Sequence, residues 1–439
     1  MEKEENLESQ NELKVSQEDS IPTPSGFTQP IFLLFGIGDL LAYNAFLTEL
    51  PFFNLFLEDL SPGKTIPFLN FILNITFQFL ILWKKDLFNL KFQLIIGLIL
   101  SILFLIIIPI VVVSFEKNSI ISMVITSILI FIMGFINALL TSGFYSLASF
   151  FPTEMVVSLN TGMAIAGILM NVIQYLVLFL VDTGDNEKDS IISALTFFII
   201  SGFILLICLI ILLFQFKTEY YKYYLRSLYI DTDDDVNENM NDKEKLNSNN
   251  NDESNKEPTE MTFKEMFKIL KDIDLLSSYI YIITASVYPN AVISQNLYNM
   301  NEKYMVNTIL IIINTCDTIG RYLVIKVKPS KKLTYIVVLS RTILLITILL
   351  NYYLQQGQHT EFFRSIEFTG TFLLINIICL AISNGVGTSL VFGIAPTLVY
   401  DKYKGQAGAS ISFFATFGTF SGTILAFLTG YIMNLMKEN

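Results

Sequence analysis

Apolar runs of about 20 residues recur along nearly the whole chain, and this recurrence constrains the fold more than any other feature. A helix needs ~20 mostly apolar residues to cross the hydrocarbon core of a bilayer. Eleven segments have this character, at residues 30–50, 66–83, 92–113, 119–146, 156–181, 191–216, 274–296, 303–325, 333–354, 367–399 and 406–434. The ~10-residue alternating segments of a transmembrane barrel are not seen. The sequence therefore predicts an all-α polytopic membrane protein with eleven transmembrane helices.

One long polar segment divides these spans into six and five. Its middle, DTDDDVNENMNDKEKLNSNNNDESNKEPTE, is rich in asparagine and acids and cannot build a core. The stretch MTFKEMFKILKDI at its end has helical apolar spacing, which predicts a short amphipathic helix at the membrane surface. We expect a disordered acidic cytoplasmic tail (1–28), a first bundle (29–216), a cytoplasmic loop with the amphipathic helix (217–273) and a second bundle (274–439).

Basic residues lie mostly in alternate loops, which orients the chain by the positive-inside rule. The loops after the second, sixth, eighth and tenth spans carry Lys84, Lys85, Lys217, Lys222, Arg226, Lys326, Lys328, Lys331, Lys332, Lys402 and Lys404. A cytoplasmic N-terminus puts all these loops in the cytoplasm, and an odd number of spans then leaves the C-terminus outside. The expected location is the plasma membrane.

Composition and motif content exclude several classes of function. The acidic residues concentrate in two polar segments, so no nucleic-acid partner is expected. A P-loop, GxSxG and HExxH are all missing, so we expect neither an enzyme nor a cofactor. The three cysteines, Cys208, Cys316 and Cys379, lie in apolar runs without metal-ligand spacing, and we expect no metal site.

Ionisable residues inside a membrane span are costly and mark candidate functional sites. In INTCDTIGR (313–321), the residues Asn314, Asp317 and Arg321 lie at i, i+3 and i+7, on one helical face. Asp317 and Arg321 can pair at i,i+4, either as a latch between helices or as contacts to a polar cargo. Asn314, near the middle of the span, is expected to contact cargo. Arg321 lies about 10 Å nearer the cytoplasm, at ~1.5 Å per residue.

Polar residues in three other spans are further candidates. Asp39 and Tyr43 share a face of the first span at i,i+4, and Thr141 lies on a polar face of the fourth. In the tenth span, Asn384 lies in SNGVGTS, where glycines weaken the helix. Two bundles around a central linker are typical of secondary carriers, which bind cargo near the bilayer midplane between their halves.

Six motifs, in order along the chain, resemble the equilibrative nucleoside transporter family. GIGDLLAYNAFLTELPFF (36–53) is similar to the family's first span, and NALLTSGFYSLASFFPTEMVVSLNTGMAIAG (137–167) to its hairpin of spans four and five. NTCDTIGR is similar to the signature of span eight, and Arg341 lies where span nine carries an arginine. SNGVGTSLVFGIAP and AGASISFFATFGTFSG resemble spans ten and eleven.

This resemblance implies a major-facilitator-like fold and transport of nucleosides or nucleobases. It implies that Asn314 and Asp317 lie near the substrate, with Arg321 holding Asp317. Leu41, Tyr43 and Leu47 would line the base side, and Thr141 stands where the family often has a glutamine. Besides Thr141, the chain departs from the family pattern at three positions: Tyr43 replaces a tryptophan, Ala42 a proline, and Asp39 a residue that is usually neutral.

Several functional interpretations remain open at this point. The leading one is facilitative or proton-coupled nucleoside transport, with Asp39, Arg341 and Asn384 in gating or coupling. Burial favours the protonated form of a carboxyl group, so Asp39 is a candidate proton carrier; a capped or hydrated Asp39 is the alternative. The other interpretations are a different major-facilitator-type carrier of a sugar or small polar metabolite, and a non-transporting receptor or scaffold. The expected partners are the nucleoside or nucleobase, the lipid bilayer and candidate protons.

Overall fold

The computed structural model describes residues 26–60, 62–84, 88–180, 186–226, 262–288, 290–293, 295–299, 302–325, 327, 330–356 and 365–438. Most of the acidic tail and the low-complexity part of the central loop lie outside these residues. Lys85, Lys326 and Lys328, three of the basic residues behind the predicted orientation, lie outside them too.

Eleven helices of 21 residues or more account for most of the described chain. They are α1 (Thr28–Thr48), α2 (Pro62–Trp83), α3 (Leu90–Ser114), α4 (Ile120–Ser149), α5 (Thr153–Leu180), α6 (Asn186–Gln215), α7 (Phe263–Val287), α8 (Glu302–Val324), α9 (Lys331–Gln356), α10 (Ile366–Ile394) and α11 (Lys404–Glu438). Shorter helices cover Leu50–Phe56, Glu219–Leu225 and Asn290–Ile293. The described ranges contain no β-strand.

Nine of these helices, all except α7 and α8, are long and apolar enough to cross a membrane within the part of the chain that the structure describes. In α7, the amphipathic stretch predicted at the membrane surface is continuous with the seventh apolar segment. Thr262 and Glu265 form a capping box at its start, and no glycine or proline interrupts the helix up to Val287. The two predicted elements are therefore one helix.

The helix pairings repeat with an offset of six. In the first half, α1 packs chiefly on α5 and α2 on α4; in the second half, α7 packs on α11 and α8 on α10. The halves meet where α8 and α10 cross α5, and where α11 crosses α2 and α4. Such repetition is typical of carriers built from two related helix bundles.

Glycines allow the closest of these crossings. A Cβ on Gly36 of α1 would lie 1.9 Å from the Leu159 carbonyl oxygen, and a Cβ on Gly162 of α5 would lie 1.9 Å from the Leu33 carbonyl oxygen. The two helices thus approach each other backbone to backbone at reciprocal positions. Small residues permit this kind of packing between helices in a membrane.

Candidate functional site

A cavity of about 210 Å³ lies between the two halves. Its walls come from α1, α2, α4 and α5 on one side and from α7, α8, α10 and α11 on the other. The polar lining residues are Asp39, Tyr43, Asn44, Asn70, Asn74, Asn137, Thr141, Tyr145, Tyr281, Arg321, Ser412, Thr416 and Thr419. The cavity thus combines carboxamides, hydroxyls, one acidic side chain and one basic side chain.

The wall formed by α1 and α4 centres on a buried carboxylate. Asp39 is only 1% exposed, and its Oδ1 accepts a hydrogen bond from Thr141 Oγ1 at 2.9 Å. Its Oδ2 is buried without a hydrogen-bond partner among the described residues. One helical turn further along α1, the ring of Tyr43 meets that of Phe71 on α2 edge-on, at a centroid distance of 5.7 Å. A carboxylate and an aromatic pair therefore lie side by side.

The opposite wall holds a buried ion pair on α8. Arg321 Nε donates to Asp317 Oδ2 at 2.8 Å, and both side chains are buried. The other carboxylate oxygen, Asp317 Oδ1, accepts from Asn384 Nδ2 of α10 at 2.8 Å. Arg321 Nη1 also donates across to the first half, to the Asn160 carbonyl oxygen of α5 at 2.6 Å. Buried charges need such partners.

A second arginine lies behind this pair and has no direct carboxylate partner among the described residues. Arg341 of α9 is fully buried and donates to the Leu380 carbonyl oxygen at 3.1 Å and to Ser383 Oγ at 2.8 Å. It also donates to Asn384 Oδ1 at 3.2 Å and to the hydroxyl of Thr284 on α7. Asn384 therefore bridges Asp317 and Arg341.

Two aromatic side chains line the cavity near the turn between α4 and α5. The Tyr145 hydroxyl donates to Asn160 Oδ1, and the Tyr145 ring lies 4.4 Å, centroid to centroid, from the ring of Phe392 on α10. Both rings line the cavity beside Arg321. Asn160 thus joins α4, α5 and α8, and links the two halves at this end.

The structure brings most of the sequence-predicted site residues to the cavity or to the network behind it. Asp39, Tyr43, Thr141 and Arg321 line the cavity. Asp317, Asn384 and Arg341 form the hydrogen-bonded network behind Arg321. Sequence spacing alone did not predict that Arg321 lines the cavity while Asp317, Asn384 and Arg341 lie behind it.

Three predicted residues lie elsewhere. Leu41 is fully buried in the core and Leu47 is half-buried, while Leu40 lines the cavity instead. Adjacent residues of a helix point about 100° apart, so an assignment shifted by one residue changes the face. The Asn314 carboxamide lies against α5, where a Cβ on Gly167 would be 3.0 Å from its Nδ2. It therefore contacts a helix of the other half.

A ladder of polar side chains on α2, which was not predicted from the sequence, also reaches the cavity. Asn70, Asn74 and Gln78 follow each other at i, i+4 and i+8, a spacing that puts them on one face. Gln78 Nε2 donates to Asn74 Oδ1 at 2.6 Å and to Thr416 Oγ1 of α11 at 3.0 Å. This regular spacing inside an apolar run was the signal that could have identified the ladder.

A family model described as "Nucleoside transporter" matches residues 127–431, more than half of the chain. The chain belongs to the nucleoside transporter family. This match confirms the resemblance to nucleoside transporters that the six sequence motifs indicated. Among curated proteins, none matches its sequence significantly.

Solved structures with a similar fold are transporters of the major facilitator superfamily. The proton:xylose symporter XylE bound to 6-bromo-6-deoxy-D-glucose is 12% identical with a TM-score of 0.63, covering 94% of each chain. The fucose:proton symporter FucP of E. coli is 14% identical with a TM-score of 0.55, covering 93% of this chain and 97% of FucP.

A third neighbour is a bacterial homologue of the iron transporter ferroportin in an outward-facing state. It is 11% identical with a TM-score of 0.52, covering 94% of this chain and all of the neighbour. At such identities the likeness concerns the fold alone. This nucleoside transporter family member is thus an integral, multi-pass membrane transporter with an all-helical, major-facilitator-like fold, as the sequence predicted.

Proposed function

We propose that this protein moves nucleosides or nucleobases across a membrane by alternating access. The observation that carries the proposal is the composition of the cavity between the halves, where the aromatic pair Tyr43 and Phe71 adjoins carboxamides and a carboxylate. A nucleoside is neutral and carries a flat base together with several hydrogen-bonding groups. Its binding therefore requires an apolar or aromatic wall with a few placed polar partners.

The charges around the cavity favour a neutral cargo. Asp39 and Arg321 are the lining residues of opposite charge, and the second arginine, Arg341, is engaged behind the wall. A nucleotide phosphate would require several basic groups in contact with it. We therefore infer that phosphorylated cargo is not bound.

Arg321 has two roles in this proposal. Its pairing with Asp317 fixes the guanidinium at the cavity wall, where it can contact cargo, and its bond to Asn160 latches the two halves. The cavity volume of about 210 Å³ lies below the ~300 Å³ at which small-molecule pockets usually begin. Release of the latch would let the halves rock apart and admit cargo. Asn314, at the contact between α8 and α5, would shift in the same movement.

The repeated helix pairings support eleven spans in bundles of six and five, and the bounds of α1–α6 and α7–α11 follow that division. With the positive-inside assignment, the N-terminus is cytoplasmic, the C-terminus is extracellular, and the latch at Asn160 is a cytoplasmic gate. The proposed location is the plasma membrane.

Proton coupling through Asp39 is a second candidate mechanism. The buried Oδ2, which has no hydrogen-bond partner among the described residues, favours it, and two of the structural neighbours are proton symporters. The ionisable groups lining the cavity with Asp39 are Tyr43, Tyr145, Tyr281 and Arg321, and Cys208 of α6 packs against the neighbouring Gly38. Coupling predicts uptake that rises with an inward proton gradient in the wild type but not in Asp39→Asn.

Transport assays with purified protein in liposomes test the proposed function. Labelled uridine, adenosine and hypoxanthine are expected to enter, with unlabelled xylose and fucose as competitors that fail to reduce uptake. Asp317→Ala is expected to abolish uptake, because it leaves Arg321 without its buried partner. Thr423→Ala, at an exposed position of α11, is the control for expression and handling. Normal uptake by Asp317→Ala would contradict the site assignment, and inhibition by xylose or fucose would favour a sugar carrier.

A further inference from the structure

Two hydrogen-bond acceptors on the wall formed by α1 and α4 lack donors within the described structure. Asp39 Oδ2 and Asn137 Oδ1 are both buried without a hydrogen-bond partner, on side chains that are 1% and 4% exposed. Both residues line the cavity. An unsatisfied buried acceptor is unfavourable, so a cargo that supplies donors at this place would gain affinity.

Thr141 connects the two residues that carry these acceptors. Thr141 Oγ1 donates to the other oxygen of Asp39 at 2.9 Å, and Asn137 lies one helical turn before Thr141 on the same face of α4. Residues at i and i+4 have their Cβ atoms ~5–6 Å apart. Asp39 and Asn137 therefore both neighbour Thr141 on this wall.

The orientation of the Asn137 amide accounts for its acceptor role. Asn137 Nδ2 donates to Asn70 Oδ1 of α2 at 3.2 Å, which turns Oδ1 away from that partner. Tyr43, one helical turn from Asp39, and Phe71 also line the cavity, and either ring offers an aromatic face to a flat cargo. A flat ring lying on this surface would present its polar edge to Asp39 and Asn137.

We propose that this pair of acceptors binds the exocyclic amino group of a nucleobase, so that Asp39 and Asn137 select amino-bearing bases over their oxo counterparts. A primary amino group has two hydrogens, and each can be donated to one acceptor. A carbonyl oxygen in its place would set acceptor against acceptor. The inference rests on the proposed function and specifies which part of the cargo the α1–α4 wall recognises.

Ribose hydroxyls are the other source of paired donors in a nucleoside, and matched cargo pairs distinguish the two. Adenosine and inosine differ at the 6-position, cytidine and uridine at the 4-position, and all four have the same sugar. 2′,3′-Dideoxyadenosine keeps the amino group and lacks both hydroxyls. Competition for uptake by wild-type protein in liposomes gives the apparent affinity of each.

We expect wild-type protein to prefer adenosine over inosine and cytidine over uridine by about tenfold, as one well-placed pair of hydrogen bonds provides. Asp39→Asn presents amide hydrogens in place of one acceptor and should bring both ratios close to one. Asn137→Ala should lower both ratios independently, which covers the case in which Asp39→Asn does not fold. Glu49→Gln is the matched control, since Glu49 is a buried carboxylate at the end of α1 outside the cavity lining, and should keep the ratios.

Equal affinities of the wild type for the amino-bearing and oxo-bearing nucleosides would overturn the inference. Affinity ratios that stay unchanged in both Asp39→Asn and Asn137→Ala would also overturn it. Neither result would contradict nucleoside uptake itself. Loss of the preference for adenosine over its dideoxy analogue in Asp39→Asn, with the base ratios unchanged, would overturn it in favour of ribose. Absence of uptake of every nucleoside and base by the wild type would overturn the proposed function as well.

Discussion

Arg321 Nη1 lies 2.6 Å from the carbonyl oxygen of Asn160, and this hydrogen bond ties α8 in the second half of the protein to α5 in the first. The same guanidinium holds Asp317 through Nε at 2.8 Å. One planar group thus satisfies a partner within its own helix and one across the interface. A guanidinium suits this arrangement because its donors are fixed in a fork.

Arg321→Lys is expected to weaken the latch while keeping the charge. An ammonium is a compact group on a flexible stem and cannot satisfy Asp317 and Asn160 in the same geometry. We expect nucleoside uptake per molecule to fall at least tenfold, roughly 1.4 kcal/mol or more. Arg226→Lys, at an exposed position beyond α6, is the conservative control.

Alkylation measures the latch separately from uptake. In a background with the three native cysteines replaced by serine, Ser149→Cys places a thiol at a buried position near the end of α4. Its alkylation is expected to be faster when Arg321→Lys is added. Equal alkylation rates would show that the hydrogen bond to Asn160 does not hold this end closed.

Asn384→Leu is expected to destabilise the second half of the protein. Asn384 donates to Asp317 and accepts from Arg341 and Thr284, and leucine can replace none of these bonds. Removing one partner from a buried charged network costs on the order of 3 kcal/mol. The thermal denaturation midpoint in detergent should fall by several degrees, whereas Thr423→Ala, which removes a bond within an exposed helix turn, should leave it unchanged. An unaltered midpoint in Asn384→Leu would refute the bridging role.

Gly162→Val is expected to prevent correct packing of α1 on α5. Its Cβ would lie 1.9 Å from the Leu33 carbonyl oxygen, and a helix backbone cannot yield locally to that overlap. Yield of monodisperse protein in size-exclusion chromatography should drop sharply. Gly202→Ala is the control, because a Cβ there meets nothing within 4 Å and alanine favours a helix by up to ~1 kcal/mol. Equal yields would contradict the close crossing.

The start of α7 is expected to loosen as the pH falls. Hydrogen bonds from the backbone and then the side chain of Thr262 hold the pKa of Glu265 below its ordinary value of 4.5. A lowered pKa in the folded state means that the cap is at full strength above pH 4.5 and is lost as the pH falls through the lowered pKa. Hydrogen exchange of the first-turn amides, corrected for intrinsic rates, should show this loss of protection. Protection in Thr262→Ala should be low at every pH, and a flat profile in the wild type would refute the prediction.

The sequence predicted the long helices well because apolar runs mark them, and nine of those described have the length and hydropathy of a membrane crossing. It also predicted the polar face of α8, since Asp317 and Arg321 are neighbours at helical spacing. It could not predict Asn160 as the partner of Arg321, because no local periodicity links positions so far apart in the chain. The assignment of Leu41 to the cavity shows a related limit, since a family pattern does not determine which of two adjacent leucines faces the cavity.

The crossing of α1 and α5 at Gly36 and Gly162 has a mechanical consequence. One helix of this pair carries Asp39, which lines the cavity, and the other carries Asn160, which receives the bond from Arg321. Because their backbones are in contact at reciprocal points, we expect the two helices to move together. Breaking the bond at Asn160 would therefore displace Asp39 as well. Opening of the gate would then change the position of a group that lines the cargo cavity.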